Sequence, residues 1–262
     1  MSGGQDEPRR AWVDHVMGMP VSVHVRGDDA HAAATERAVR AAFAELREVD
    51  RVLSTYRPDS DVSRYARGEL PLADCDARVR EVHRLCLLVL ATTDGAVDAW
   101  GWSRRGFDPT GVVKGWAVER ALDALGGVRG DVAIDAGGDV AVRCDPAGPG
   151  WLVGVEHPDR PGELLATVRV HAGGVATSGT AARGAHVVDP GTGLPAAHGV
   201  RSATVVGPSP CWADVWATAV MVTGRRGPGG TGGLVLHDDG GTWGWHDGAA
   251  RPEPGGALTA VE

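Results

Sequence analysis

Short segments typical of β-strands follow one another through the second half of this chain, whereas helical periodicity dominates the first half. The β-prone segments, which Gly, Pro and Asp residues separate, are 131–144, 150–158, 163–173, 174–179, 185–190, 200–207, 233–238 and 242–248. One earlier strand is expected over 20–27, and helices are expected over 28–54, 77–93 and 113–125. This order predicts an α+β fold with mixed or antiparallel sheets flanked by helices.

The 262 residues can bury a substantial core, either as one large domain or as two lobes that share an interface. Because no linker or internal repeat interrupts the chain, we predict a single domain over 1–262. We expect a mobile start, about 1–11, an irregular segment over 55–71, a mobile loop over 224–233 and a loosely held tail over 251–262.

The formal net charge of −8 and the absence of a Lys/Arg cluster argue against a nucleic-acid partner. No segment approaches the roughly 20 apolar residues of a membrane span, and the first residues lack the apolar core of a signal peptide. We therefore expect a cytoplasmic protein with no membrane insertion. The four cysteines lie far apart without a C-x-x-C pair, which argues against zinc and does not require disulfides.

A helix is predicted after Ser209, which is a good N-cap, with Pro210 in the first helical position and Gly224 closing the end. Asp214 and Thr218 lie one turn apart in this otherwise apolar helix, so their oxygens share a face. One interpretation is a structural hydrogen bond to a neighbouring loop. The other is a hard-cation site, for which oxygen ligands without nearby Cys or His favour Mg²⁺.

Three further segments combine polar groups with glycine. In "DPTGVVKGWAVERA", Asp108, Thr110 and Lys114 lie at a helix entrance, where free N–H groups attract anions such as phosphate, although a capped helix with a solvated lysine is equally compatible. The two glycines of "IDAGGDVAV" indicate a hairpin turn, a bulge or a close approach to a ligand. In "ATSGTAARGAHVVDPGTGLP", His186 and Asp189 follow Thr177-Ser178, so His186 is either structural or a catalytic base.

Taken in order, seven motifs resemble the ApbE family of FAD:protein FMN transferases: "MGMPVSV", "LSTYRPDSDVSRY", "TDGAVDAW", "DPTGVVKGWAVERA", "AIDAGGDVAV", "VATSGTAARGAHVVDPGTGLP" and "VVGPSPCWADVWATAVMV". The resemblance implies two lobes around a flavin cleft. It also implies an enzyme that uses Mg²⁺ to cleave FAD, attaches FMN through a phosphoester to a Thr or Ser of a target flavoprotein, and releases AMP.

The resemblance also implies roles for single residues. Asp214 and Thr218 match the metal-binding Asp and Thr of the family, and Gly111 falls where a backbone carbonyl completes the metal site. His186 and Asp214 are the implied catalytic residues, with Asp189 or Asp108 as alternative bases. The residues at or near FAD-contacting positions are Met17, Tyr56, Asp98, Asp108, Lys114 and Val188.

Aromatic residues add candidates for the flavin contact, because Tyr56 could stack on the isoalloxazine and Trp100 and Trp102 could flank it or belong to the core. The chain departs from the family pattern at Met19, where a threonine is usual, and at Thr180 and Ala181. Two alternatives to the transferase remain: a Mg²⁺-dependent FAD pyrophosphatase that releases FMN and AMP, and a flavin-binding protein without catalysis.

Overall fold

The computed structural model of the protein describes residues 7–101, 106–180, 187–196, 198–248 and 253–254. The α-helices in these ranges are α1 (Ala33–Leu53), α2 (Asp61–Ala66), α3 (Ala77–Thr92), α4 (Thr110–Ala124) and α5 (Pro210–Thr223). The strands are β1 (Arg9–Val16), β2 (Met19–Arg26), β3 (Asp131–Ala136), β4 (Asp139–Arg143), β5 (Trp151–Glu156), β6 (Leu164–Val170), β7 (Ala172–Gly179), β8 (Val188–Asp189), β9 (Leu194–Pro195), β10 (Val200–Gly207), β11 (Gly232–His237), β12 (Thr242–His246) and β13 (Glu253–Pro254).

Eight of these strands form one sheet in the order β1-β2-β3-β4-β7-β10-β11-β12, in which each described neighbour pair is antiparallel. A three-stranded antiparallel sheet has the order β13-β6-β5, and β8 pairs with β9 in a small hairpin. The α+β class is therefore confirmed, with antiparallel pairing throughout the described sheets.

Both faces of the large sheet are covered, as the side chains of β3 illustrate. Val132 and Ile134 point into the larger core, which includes α1, α4 and α5. Ala133, which lies between them and faces the opposite side of the strand, belongs to a second apolar cluster that includes Val153 of β5 and Val168 of β6. The helices thus pack on one face of the sheet and the small sheet packs on the other.

Helices α4 and α5 lie unusually close at Gly115. A β-carbon at this position would lie 2.8 Å from Cys211 Cα and 3.0 Å from Asp214 Cβ. Helix α5 begins and ends as predicted, because Ser209 Oγ accepts a hydrogen bond from the Trp212 N–H and Gly224 adopts the left-handed conformation. This close crossing fixes the two helices that carry the predicted metal ligands and Lys114.

The structure differs from the sequence-based expectation in several elements. Arg9–Val16 form β1, although the start of the chain was expected to be mobile to about residue 11, because this segment pairs along its whole length with β2. Helix α2 lies within the expected irregular segment 55–71, where Ser60 caps it by accepting from the Ser63 N–H. Helix α4 begins at Thr110, three residues earlier than predicted.

The predicted loop, the predicted tail and the cysteines are placed as follows. In the predicted loop 224–233, no helix or strand is assigned before β11 begins at Gly232. The predicted tail 251–262 is described only at Glu253–Pro254, which pair with β6. All four cysteines are free thiols. In the described ranges, no helix combines the length and the apolar character needed to cross a membrane.

Candidate functional site

Three charged side chains meet where α4, β4 and α5 approach one another. The Lys114 ammonium lies 2.6 Å from Asp139 Oδ2 and 3.5 Å from Asp214 Oδ1. Both carboxylates are buried, each with 6% of its residue surface exposed. Lys114 thus contacts two acidic side chains from two different elements.

Backbone donors orient both carboxylates. The Gly115 N–H donates to Asp214 Oδ2 at 3.1 Å, and the Thr177 N–H donates to Asp139 Oδ1 at 3.2 Å. Each carboxylate therefore has one oxygen bonded to the backbone and the other turned toward Lys114. Hydrogen bonds of this type restrict the rotation of the acidic side chains and prepare the site before any ligand binds.

The hydroxyl of Thr218 lies one turn after Asp214 and is also held by a neighbour. Its Oγ1 lies 3.0 Å from Ser178 Oγ, in a hydrogen bond that joins α5 to β7. Ser178 follows Thr177, the residue whose N–H binds Asp139. Thr218 therefore contacts β7 whereas Asp214 contacts α4, and the proposed oxygen ligands lie in one polar strip where α4, α5 and β7 meet.

Among the described side chains of this strip, acidic groups outnumber basic ones. Two buried carboxylates contact one ammonium, that of Lys114. Burial and the nearby charge of Asp214 raise the pKa of Asp139 above its usual value, and Lys114 opposes this increase. An additional cation would lower the electrostatic cost of keeping both carboxylates ionised.

Gly111, the predicted backbone ligand, lies one helical turn before Gly115. In an α-helix the N–H of residue 115 points toward the carbonyl of residue 111. Because the Gly115 N–H donates to Asp214 Oδ2, the Asp214 carboxylate approaches the part of α4 where the Gly111 carbonyl projects. In the described part of the chain, however, no three His, Cys, Asp or Glu side chains cluster so as to hold a metal ion.

The predicted flavin contacts at the start of α4 adjoin this centre. Asp108 Oδ1 accepts a hydrogen bond from the Thr110 N–H at 3.1 Å, and the Asp108 N–H donates to the Ala99 carbonyl at 2.7 Å. The second bond ties the loop that contains Asp98 to the helix entrance. Asp98 itself accepts from the Trp100 N–H at 2.7 Å.

The β8-β9 hairpin reaches the same loop. A β-carbon at Gly101 would lie 2.4 Å from Asp98 Oδ2 and 3.6 Å from Pro190 Cβ, so Gly101 lies between the two segments. Val188, the predicted flavin contact of the hairpin, is half-buried two residues before Pro190. His186 and Trp102 lie outside the described residues.

Met17 belongs to the turn between β1 and β2 and has a positive φ of 56°, which is uncommon for a residue with a β-carbon. In the next strand, Met19 packs on the turn between β3 and β4, because a β-carbon at Gly137 would lie 2.9 Å from the Met19 sulfur. Asp139 begins β4 directly after this turn. Met19, which stands where the family usually has threonine, therefore packs on Gly137, two positions before Asp139 in the sequence.

The aromatic candidates are placed differently from one another. The side chain of Tyr56 is exposed, as stacking on a ligand from solvent would require. Trp100 packs instead in a cluster with His83 and Phe107, at ring-centre distances of 5.3 Å and 5.1 Å. Burial is the main cause that lowers the pKa of His83. Trp100 therefore serves at least in part as core, which was one of its two interpretations.

The sequence-based prediction assigned no site role to Asp139, and it named Ser178 only as part of a polar segment. One signal points to the centre around Lys114. The chain contains 25 arginines and a single lysine, Lys114. A compact ammonium on a four-carbon stem and a planar guanidinium are not interchangeable in an ion pair of fixed geometry. The use of lysine at one position, where every other basic residue of the Lys/Arg type is arginine, indicates that an ammonium is preferred to a guanidinium there.

Comparisons with known proteins indicate the family of the chain. The sequence pattern of the ApbE family matches residues 17–100 and 103–228. A protein named FAD:protein FMN transferase from Salmonella typhimurium is 34% identical over 103 residues, which cover 36% of this chain and 29% of that protein. Its namesake from Haemophilus influenzae is 23% identical, covering 80% of this chain and 79% of the relative. The match to the Salmonella protein thus spans less than a third of that relative's length.

Solved structures show the same fold. The crystal structure of the ApbE protein from Thermotoga maritima superposes with a TM-score of 0.77 at 21% identity, covering 90% of this chain and 96% of that one. Flavin transferase ApbE from Vibrio cholerae gives a TM-score of 0.75 at 20% identity, with 92% and 97% covered. With the family pattern matched over most of the sequence, the chain belongs to the ApbE family.

Proposed function

We propose that the protein is a Mg²⁺-dependent FAD:protein FMN transferase, which attaches FMN to a Thr or Ser of a target flavoprotein and releases AMP. The observation that carries the proposal is the placement of Lys114 between two buried carboxylates, one turn after the N-terminus of α4. This arrangement combines a cation, a helix N-terminus and oxygen ligands, which are the groups that a pyrophosphate requires.

The anionic part of FAD would bind at the start of α4. The positive end of the α4 helix dipole favours phosphate oxygens there. Lys114 adds a full charge on the same helix. The loop of Asp98 and the β8-β9 hairpin adjoin this entrance and would contact the rest of the dinucleotide, and Tyr56 remains a proposed contact of the ring.

The residues present fit Mg²⁺. Asp214, Thr218 and the Gly111 carbonyl would supply oxygen ligands of the kind that Mg²⁺ prefers, and the excess negative charge of the strip favours a cation. When bound, the ion would neutralise charge on the pyrophosphate during transfer. Ser178 would hold the Thr218 hydroxyl in place, and the Gly115 N–H would do the same for the Asp214 carboxylate.

The transfer requires one bond to form and one to break. The hydroxyl oxygen of the acceptor forms a bond to the phosphorus on the FMN side, and the bond from that phosphorus to the bridging oxygen breaks, so that AMP leaves. The proton of the hydroxyl passes to a base, for which we propose His186, with Asp189 or Asp108 as alternatives. Lys114 would stabilise the charge that develops on the phosphate oxygens.

Product analysis tests the proposal. The protein is incubated with FAD and Mg²⁺, with and without candidate acceptor flavoproteins from the same genome, and flavin is followed both in free form and bound to protein. The proposal predicts flavin attached covalently to an acceptor together with an equal amount of AMP. FMN and AMP in solution without labelled protein would indicate the pyrophosphatase, and unchanged FAD that remains bound would indicate a carrier. The cytoplasmic location stays a prediction.

A further inference from the structure

The two contacts of Lys114 with carboxylates are unequal. Its ammonium lies 2.6 Å from Asp139 Oδ2, at direct ion-pair distance, and 3.5 Å from Asp214 Oδ1, beyond the usual 2.7–2.9 Å of a charge-assisted hydrogen bond. Among the described residues, Asp139 Oδ2 accepts no hydrogen bond from another side chain or backbone group. The Lys114 ammonium is therefore its close partner there.

Asp139 is itself held from the sheet. Its Oδ1 accepts the Thr177 N–H of β7, and the residue begins β4 directly after the Gly137-Gly138 turn. The lysine stem is long and has several rotatable bonds, whereas this carboxylate is short and fixed by the backbone. The rigid partner therefore determines where the flexible one lies.

We propose that Asp139 is a positioning residue, which holds the Lys114 ammonium beside Asp214 and so leaves Asp214 Oδ1 accessible to a divalent cation. Without Asp139, the acidic side chain in contact with Lys114 among the described residues is Asp214. The ammonium would then bind Asp214 directly and compete with the metal for the same oxygen. The expected effect of Asp139 on Mg²⁺ binding rests on the proposed function. The expected effect of Asp139 on the position of Lys114 does not depend on that function.

The single lysine makes this position measurable. Protein grown with ¹³C,¹⁵N-lysine has one labelled side chain, so its Nζ and Cε signals belong to Lys114. Asp139→Asn should shift these signals strongly, because Asn removes the charge and retains an oxygen for the Thr177 N–H. Asp214→Asn should shift them less, and Asp123→Asn, an exposed change on the same helix, should leave them in place. Unchanged signals in D139N, or a larger shift in D214N, would overturn the proposal.

A measurement on the wild type does not depend on how the variants fold. In uniformly ¹³C,¹⁵N-labelled protein, the scalar coupling across the hydrogen bond from Lys114 Nζ should lead to the carboxyl carbon of Asp139. A coupling to Asp214 alone would contradict the proposal.

Mg²⁺ titration by calorimetry, without FAD or acceptor, tests the consequence. We expect D139N to weaken Mg²⁺ binding by about 10-fold or more, because the released ammonium competes for Asp214. In a Lys114→Met background the same change should cost at most about 3-fold, since no ammonium is left to compete. Equal weakening in both backgrounds would show that Asp139 acts through its own charge and would overturn the competition. If the wild type binds no Mg²⁺ in the absence of FAD, the competition for Asp214 in the free protein is wrong, while the lysine spectra still decide the position of Lys114.

Discussion

Gly115 of α4 donates its backbone N–H to Asp214 of α5 at 3.1 Å, and the same glycine allows the two helices to approach one another. The β-carbon of any other residue would lie 2.8 Å from Cys211 Cα, which is backbone and cannot rotate away. A single glycine therefore sets both the helix spacing and the orientation of the candidate metal ligand.

Gly115→Ala should lower the free energy of unfolding by about 1–3 kcal/mol, because the added methyl group forces α4 and α5 apart. Catalytic turnover should fall further than stability explains, since the same shift moves Asp214 away from its N–H donor. Gly127→Ala is the control, because its β-carbon would meet nothing within 4 Å. Urea unfolding and turnover of both variants decide the matter, and equal behaviour of the two would refute the helix-spacing argument.

Lys114→Arg should reduce turnover by about 100-fold although the charge is kept, because the longer, planar guanidinium would shift the position of the charge between the two carboxylates. The control is the opposite exchange, Arg129→Lys, at a side chain that is 93% exposed. This variant should leave turnover unchanged. Steady-state rates with FAD as the varied substrate provide the measurement. A fully active K114R would mean that only the charge at this position matters.

Helix α5 illustrates what the sequence can predict. Its N-cap at Ser209, its first-turn Pro210 and its terminal Gly224 are local signals, and each is confirmed. The shared face of Asp214 and Thr218 follows from the 3.6-residue repeat alone. That Thr218 meets Ser178 of β7 is not local, because it depends on how the helix packs on the sheet.

Asp139 shows the opposite case. The two preceding glycines indicate a turn, but the turn alone does not say which side chain meets Asp139. Its partners Lys114 and Thr177 are 25 and 38 residues away along the chain, and only the pairing of β4 with β7 and the packing of α4 bring them together. Strand β1 was not predicted for a related reason. Its largely exposed residues form a strand because they pair with β2, and this pairing cannot be read from the segment itself.

The pH dependence of stability should contain a contribution from Glu45. Hydrogen bonding to Arg78 is the main cause that lowers its pKa from 4.5 to about 2, and Arg120 contributes as well. A lowered folded-state pKa adds stability above the unfolded value of 4.5, and this stability is lost as the pH falls from there toward about 2. Glu45→Gln should be less stable near neutral pH and should lose part of this acid-side slope. Unfolding free energies at stepped pH provide the test, and an unchanged slope would contradict it.

His186→Asn should slow turnover by about 100-fold or more if His186 accepts the proton of the attacking hydroxyl, whereas the affinity for FAD should stay similar. The neutral imidazole is the active form, so the wild-type rate should rise with pH through the histidine titration and the variant should lack this rise. An Asn variant with a near-normal rate and the same pH profile would remove His186 from the mechanism and direct attention to Asp189 or Asp108.

The central claim, that the oxygen groups where α4, α5 and β7 meet hold the ion that activates FAD, is tested most directly by the Mg²⁺ dependence of AMP release in Asp214→Asn. Asn keeps an oxygen for the Gly115 N–H and removes the charge that would bind the ion. AMP is quantified by chromatography, because AMP is released whether FMN is transferred to protein or to water. Asp123→Asn is the matched control. The account predicts that the wild type and D123N respond to Mg²⁺, whereas D214N is about 100-fold slower or more and no longer responds. A D214N protein that responds to Mg²⁺ as the wild type does would contradict it.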